Sequence, residues 1–187
     1  MRRRAFLLGL GLLAGCAVVD NAVDRTEMQV DGARLYLSGL ITSRTPARFE
    51  ALVAAHPQVR TIVPLDLPGS LDSDASHRIG AFIRARGLET HLVSRSRVHS
   101  GGVSVFIAGN RRTADPGAEI GVHSWADGFG EGSGYPADAA EHIDNRNYVA
   151  AMLGSEAFYW FTLRAAPSDE IHVMSRSEIA RYGLVTE

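Results

Sequence analysis

Ser100 stands in the run Val98-His99-Ser100-Gly101-Gly102, immediately before an apolar stretch, 103–108, that reads as a helix closed by Gly109. A serine at a helix start is commonly an N-cap. It is also a good place for a nucleophile, because the first amides of a helix favour developing negative charge and neighbouring glycines let a substrate approach closely. His123 follows Ile120-Gly121-Val122, a segment with strand character. Imidazole is the side chain best suited to accept a hydroxyl proton near neutral pH. A third segment, Leu67-Pro68-Gly69-Ser70, is a glycine-containing turn after an apolar run. Each has an ordinary reading: a cap, a surface histidine, a connection. Their chemistry depends on whether the fold gathers them.

Composition narrows the chemistry further. All 19 cationic side chains are Arg. The lack of Lys rules out a Ser–Lys dyad, a Schiff-base lysine and a Walker-type phosphate lysine. The single Cys rules out an intramolecular disulfide and a cysteine-based zinc cluster. No His-x-x-x-His or Glu-x-x-His spacing supports His142 and Glu141 as metal ligands, so neither metal nor cofactor is expected. A formal charge of -2 gives no basic field for nucleic acid. The seven His are scattered and form no pH-sensing cluster. At 187 residues, 45% hydrophobic and 21% charged, the chain suits one globular domain.

The N-terminus reads as an address. Arg2, Arg3 and Arg4 precede an apolar run over 5–15. Eleven helical residues rise about 16 Å, too short for a hydrocarbon core of about 30 Å, so the pattern is that of a signal peptide. Leu13-Ala14-Gly15-Cys16 resembles a bacterial lipobox, which implies an acyl lipid on Cys16, with palmitate-type chains as membrane anchor. Ala17 after it implies outer-membrane sorting more than inner, on the periplasmic side. Arg3-Arg4-Ala5-Phe6-Leu7 also resembles a twin-arginine signal, which leaves the export route open. Removing 1–15 takes away three Arg and leaves a formal charge near -5, so the membrane would be held by lipid and not by a basic patch. The expected organisation is signal peptide 1–15, lipidated N-terminus and tether 16–25, and domain 26–187.

The elements that must position the site follow from patterning. Asp31-Gly32 predicts a hairpin turn between 28–30 and 34–37, with Leu35 and Leu37 on one face. Thr45 and Pro46 predict a helix start carrying Phe49, Leu52 and Val53. Strands are expected over 60–65, 90–93, 119–123 and 171–174. Asp72 or Ser73 opens a helix with Ile79, Phe82 and Ile83, stopped by Gly87. The segment 127–136, with four Gly and a Pro, reads as a flexible loop and a candidate lid over His123. A long helical run is expected over 137–165, and a closing helix over 175–182 with Gly183 as its stop. The alternation predicts an α/β layered fold with parallel strands and flanking helices.

The order of these segments resembles the Clp protease proteolytic subunit and the wider crotonase-fold superfamily, and most of all bacterial envelope proteins of that fold. Pro68-Gly69-Ser70 stands for the family's Pro-Gly-Gly turn. Ser100 with Ala108-Gly109 matches its nucleophile helix, and His123 its catalytic histidine. Ser175 to Val185 reads Ser-Arg-Ser-Glu-Ile-Ala-Arg-Tyr-Gly-Leu-Val, close to its C-terminal stretch. The resemblance spans about residues 34–187. It implies a single-domain ClpP-like fold and acyl transfer on a peptide or small acyl substrate. By this resemblance Ser100 would be the nucleophile, His123 its base, and the Gly69 and Gly101 amides the oxyanion donors. It also implies self-association, for which 158–161 (Phe-Tyr-Trp-Phe) is a candidate surface.

Two departures matter. The family's acidic member aligns with Ile171, which cannot orient an imidazole; Asp169 is the candidate substitute, with Asp144 a weaker one. Ser70 replaces a glycine and would be costly if its φ is positive. His99 as a second base is disfavoured by its adjacency to Ser100. The rival to a serine hydrolase is thus a catalytically degenerate lipoprotein of this fold, serving as an envelope interaction module. An acyl-CoA hydratase or isomerase is the remotest option.

Overall fold

The computed structural model describes residues 25–186. The signal peptide, Cys16 and most of the tether lie outside the described residues. Strands β1 (Arg25–Asp31) and β2 (Arg34–Leu40) form the expected hairpin. Asp31 pairs with Arg34, so the loop is Gly32-Ala33, one residue later than expected, and Gly32 takes the positive φ of 55°. Leu35 and Leu37 are both buried. Helix α1 (Thr45–Ala55) has Pro at its first turn but no side-chain cap. Thr45 Oγ1 instead accepts from Thr42 N at 2.9 Å, correcting its role from cap to turn brace.

Strand β3 (Thr61–Leu67) leads to α2 (Ser73–Ala85), capped by Asp72 through Ala75 N. Then come β4 (Glu89–Leu92), β5 (Arg97–His99), α3 (Gly101–Ile107), β6 (Arg112–Ala114) and β7 (Glu119–Val122). The long helical run breaks into α4 (Ile143–Leu153) and α5 (Ala157–Ala165). The break falls at Gly154, whose φ of 78° ends α4 in the left-handed conformation. Strand β8 (His172–Val173) and α6 (Arg176–Arg181) close the chain; α6 opens with a capping box between Ser175 and Glu178.

The eight strands make one sheet in the order β1-β2-β3-β5-β7-β8. It forks at β3. The first half of that strand, Thr61 and Ile62, pairs with β4, and its end, Asp66 and Leu67, pairs with β5. Strand β4 in turn pairs with β6. The central pairings are parallel, while β1–β2 and β7–β8 are antiparallel. The fork puts β3, β5 and β7 side by side and in register, and their carboxyl ends open on one edge.

Buried Leu, Ile, Val and Phe side chains from strands and helices make one core, with Phe49, Phe106, Ile62, Ile83 and Leu92 inaccessible. Two arginines brace it. Arg84 donates to the carbonyls of Ile107, Ala108 and Met152 at 3.0–3.1 Å, capping the end of α3. Arg112, 8% exposed, donates to the carbonyls of Gly109, Gly183 and Leu184 at 2.9–3.0 Å, fastening the C-terminal stretch. Phe158 and Tyr159 are buried and Trp160 and Phe161 half-buried, so the aromatic run belongs mainly to the core. Among the described residues no helix is long and apolar enough to cross a membrane.

Candidate active site

Three neighbouring parallel strands deliver the three segments. Leu67 pairs with Val98, and His99 with Gly121. Gly69, Ser100 and His123 therefore emerge from adjacent strand ends, about 4.8 Å apart across the sheet. Ligand sites of open α/β sheets sit at such carboxyl ends. Ser100 N donates to Gly121 O at 3.1 Å, tying the serine to the strand that carries His123. Ser100 and His123 both line one cavity of about 110 Å³, together with Gly101 and Ser70. A Cβ built on Gly69 would lie 3.4 Å from Ser100 Cβ and 3.7 Å from its Oγ. Neither the Gly69 nor the Gly101 amide is spent on a main-chain carbonyl among the described residues.

Ser100 has φ 51° and ψ -121° and is the one non-glycine with positive φ among the described residues. A side chain is held there only when the surroundings over-determine it, at a cost of roughly 1–3 kcal/mol. The glycines explain how. A Cβ on Gly101 would lie 2.5 Å from Ser70 Cβ, and one on Gly102 would lie 2.5 Å from Leu67 O. The start of α3 is thus pressed against the end of β3, which pushes the serine up into a sharp strand-to-helix corner. The Oγ makes no hydrogen bond among the described residues and stands in the cavity, half-exposed. The strain expected at Ser70 is not there. Ser70 bridges to Ile41, and its Oγ accepts from Asp72 N and donates to Asp72 O, an ordinary turn.

His123 Nδ1 lies 2.6 Å from Ser124 O. A carbonyl only accepts, so in the neutral ring Nδ1 carries the proton and Nε2 the lone pair, the tautomer a general base needs. Ser124 is itself held, through Ser124 N to Ala166 O at 2.9 Å and Ser133 N to Ser124 Oγ at 3.2 Å. Asp169 is exposed in the turn before β8, and no hydrogen bond or ion pair joins it to His123 among the described residues. Asp144 is also exposed, at the start of α4. Ile171 packs beside Gly121 instead of offering a carboxylate. The carboxylate that feels the His123 charge is Glu131. It accepts from Ser168 N at 3.2 Å and from the Ser168 hydroxyl. Those bonds, the Ser168 hydroxyl foremost, hold its pKa below the usual range, with Ser124 and His123 adding to the effect. His99 is not a second base here: its Nε2 pairs with Glu119 at 2.8 Å.

The glycine-rich segment is organised. Ala126 bridges to Glu131, and Gly132 packs so closely on Trp125 that a Cβ would meet the indole at 2.5 Å. The Tyr135 hydroxyl donates to the Asp127 carboxylate at 2.8–2.9 Å. The indole N–H of Trp125 donates to Tyr159 Oη at 2.9 Å, and Tyr159 reaches buried His142 Nδ1 at 2.6 Å. Trp125 and Tyr159 form one wall of the cavity; His77, Ser104 and Asn145 lie on the α2, α3 and α4 sides. Sequence reasoning missed these last three. A signal was available in Ser73, Ser76 and His77, whose spacing makes a polar stripe on an otherwise apolar face of α2.

No protein-family model and no curated protein matches the sequence. Solved structures do match the fold. A mutant ClpP1 from Listeria monocytogenes is 16% identical, with TM-score 0.58, over 84% of this chain and 91% of that one. A mutant of the 1510-N membrane-bound stomatin-specific protease, in complex with a substrate peptide, is 20% identical, with TM-score 0.56, over 80% and 71%. The Pseudomonas aeruginosa protein PA4980 is 16% identical, with TM-score 0.51, over 87% and 76%. The described domain therefore has the ClpP-like fold.

Proposed function

We propose that the chain is a serine hydrolase of peptidase type, working by acyl transfer from Ser100. The strained backbone of Ser100, which lifts an unspent hydroxyl into the cavity beside His123, is the observation that carries this reading. His123 Nε2 takes the Ser100 proton as Oγ attacks the scissile carbonyl, and then gives it to the leaving amine. The amides of Gly69 and Gly101 meet the oxyanion; one such donor is commonly worth about 3–4 kcal/mol in the transition state. The Ser124 carbonyl holds the imidazole in its base tautomer in place of the Asp169 carboxylate expected from sequence. The reading includes export, with a lipid on Cys16 anchoring the domain at the periplasmic side of a membrane, and self-association of the domain.

A fluorophosphonate carrying a small alkyl group tests the chemistry. Covalent labelling of the purified chain that Ser100→Ala and His123→Ala each abolish is expected. Absence of labelling across pH 6–9 would overturn the hydrolase and leave the interaction module, whose best support is Ile171 in the place of an acid. Mass spectrometry of the membrane fraction, with and without Cys16→Ala, tests the anchor.

A further inference from the structure

Beyond Ser100 the cavity has a distinctive chemistry. Its apolar walls are Val103, Ile107, Val149 and Phe158, and no Arg, Asp or Glu lines it. The His77 ring nitrogens, Ser104 Oγ and the Asn145 amide line it with no hydrogen bond among the described residues, as does Ser73 Oγ at the exposed start of α2. His77 is fixed in orientation. Its ring stacks on Tyr148 with centroids 4.1 Å apart and planes 13° from parallel. The Tyr148 hydroxyl is committed to Ser104 O at 2.7 Å, and Gly80 leaves room for it, since a Cβ there would collide with the phenol oxygen.

We propose that this cavity receives the acyl-side residue of the substrate and selects a small neutral amide, glutamine or asparagine, through His77, Asn145 and Ser104. This inference rests on the hydrolase reading and names its substrate class. Size sets one limit. A cavity of about 150 Å³ holds benzene, so one of about 110 Å³, open to solvent at its mouth, favours a side chain smaller than an aromatic ring. Charge sets another: no charged side chain lines the cavity to pair directly with an ionised substrate group. Hydrogen bonding decides between the remaining candidates. A leucine of similar size would desolvate the three polar groups without satisfying them, whereas an amide offers both a donor and an acceptor. Burial keeps the His77 pKa below its ordinary value, so the ring stays neutral; Asp74, Asp144 and Asp72 oppose this but do not outweigh it.

The test is hydrolysis of matched N-acetyl-tripeptide coumarylamides ending in Gln, Asn, Leu, Phe, Glu or Arg. The expected kcat/KM for Gln or Asn is at least about tenfold above each of the others. His77→Ala and, independently, Asn145→Ala are expected to lower the Gln-to-Leu ratio about tenfold, with folding of each checked by circular dichroism. Leu equal to or above both amides, or a ratio unmoved in two folded variants, overturns the proposal. The small fluorophosphonate separates the two readings. Labelling of Ser100 without an amide preference removes this inference alone, while no labelling and no turnover on any substrate removes both.

Discussion

If Ser100 is strained, glycine and alanine at that position must differ in stability while agreeing in inactivity. Both substitutions remove Oγ, so both abolish phosphonate labelling. Alanine keeps a Cβ at φ 51° and ψ -121°, and with it the roughly 1–3 kcal/mol cost of that conformation. Glycine removes the cost but adds unfolded-state freedom worth about 0.5–1 kcal/mol against alanine. Strain relief wins: Ser100→Gly is expected to be about 1 kcal/mol more stable than Ser100→Ala. For a domain of this size that is a rise of about 2–4 °C in Tm. Thermal unfolding followed by circular dichroism, with urea titration as a check on ΔG, reads the difference. An alanine variant as stable as the glycine variant, or more so, would refute the claim that the fold stores strain at the nucleophile.

Other consequences can be measured directly. Glu131→Gln weakens the clasp to Ser168 and Ser124 and should slow labelling of Ser100. The folded-state pKa of Glu131 is depressed, so its contribution to stability is present above the ordinary carboxylate range and lost as pH falls through the depressed value; the Tm gap between wild type and Glu131→Gln should be open at pH 7 and narrow as pH falls below the ordinary carboxylate range. Tyr135, pushed up to about 12 by its hydrogen bond to Asp127, should titrate late in an ultraviolet titration of the tyrosines; burial also raises Tyr148 and Tyr159, so the late step should be smaller by one residue in Tyr135→Phe, not abolished. Arg112→Met leaves the buried carbonyls of Gly109 and Leu184, and the more exposed one of Gly183, without their donor and should cost about 2–3 kcal/mol in urea unfolding, with Ser100 labelling of the folded fraction retained.

The sequence made the scaffold legible where chemistry is local. The helix start at Asp72 or Ser73, the stops at Gly87 and Gly183 and the hairpin at Gly32 were read from residue type alone. Strands β5 and β6 escaped because three-residue strands carry too few alternations to show a period. The break at Gly154 was passed over within a run of helix-forming residues, although Gly154-Ser155 is itself a turn signal. The positions of Ser100 and His123 were legible from local pattern, Ser100 at the start of an apolar helix beside Gly101 and His123 just after the strand 119–122. The support for His123 was not, because a main-chain carbonyl leaves no mark on residue identity, and Asp169 was chosen for being a carboxylate at the right place in the chain. His77 and Asn145 come from different helices, and only packing joins them.

Orientation of the base by Ser124 O has an evolutionary side. A carboxylate can be lost by one codon change, whereas a peptide oxygen is present whatever amino acid occupies position 124. Substitution at position 124 therefore leaves the partner of His123 Nδ1 in place. Under the proposed mechanism a carbonyl lends the imidazolium less countercharge than a carboxylate, so such a site would gain tolerance to substitution at the expense of rate.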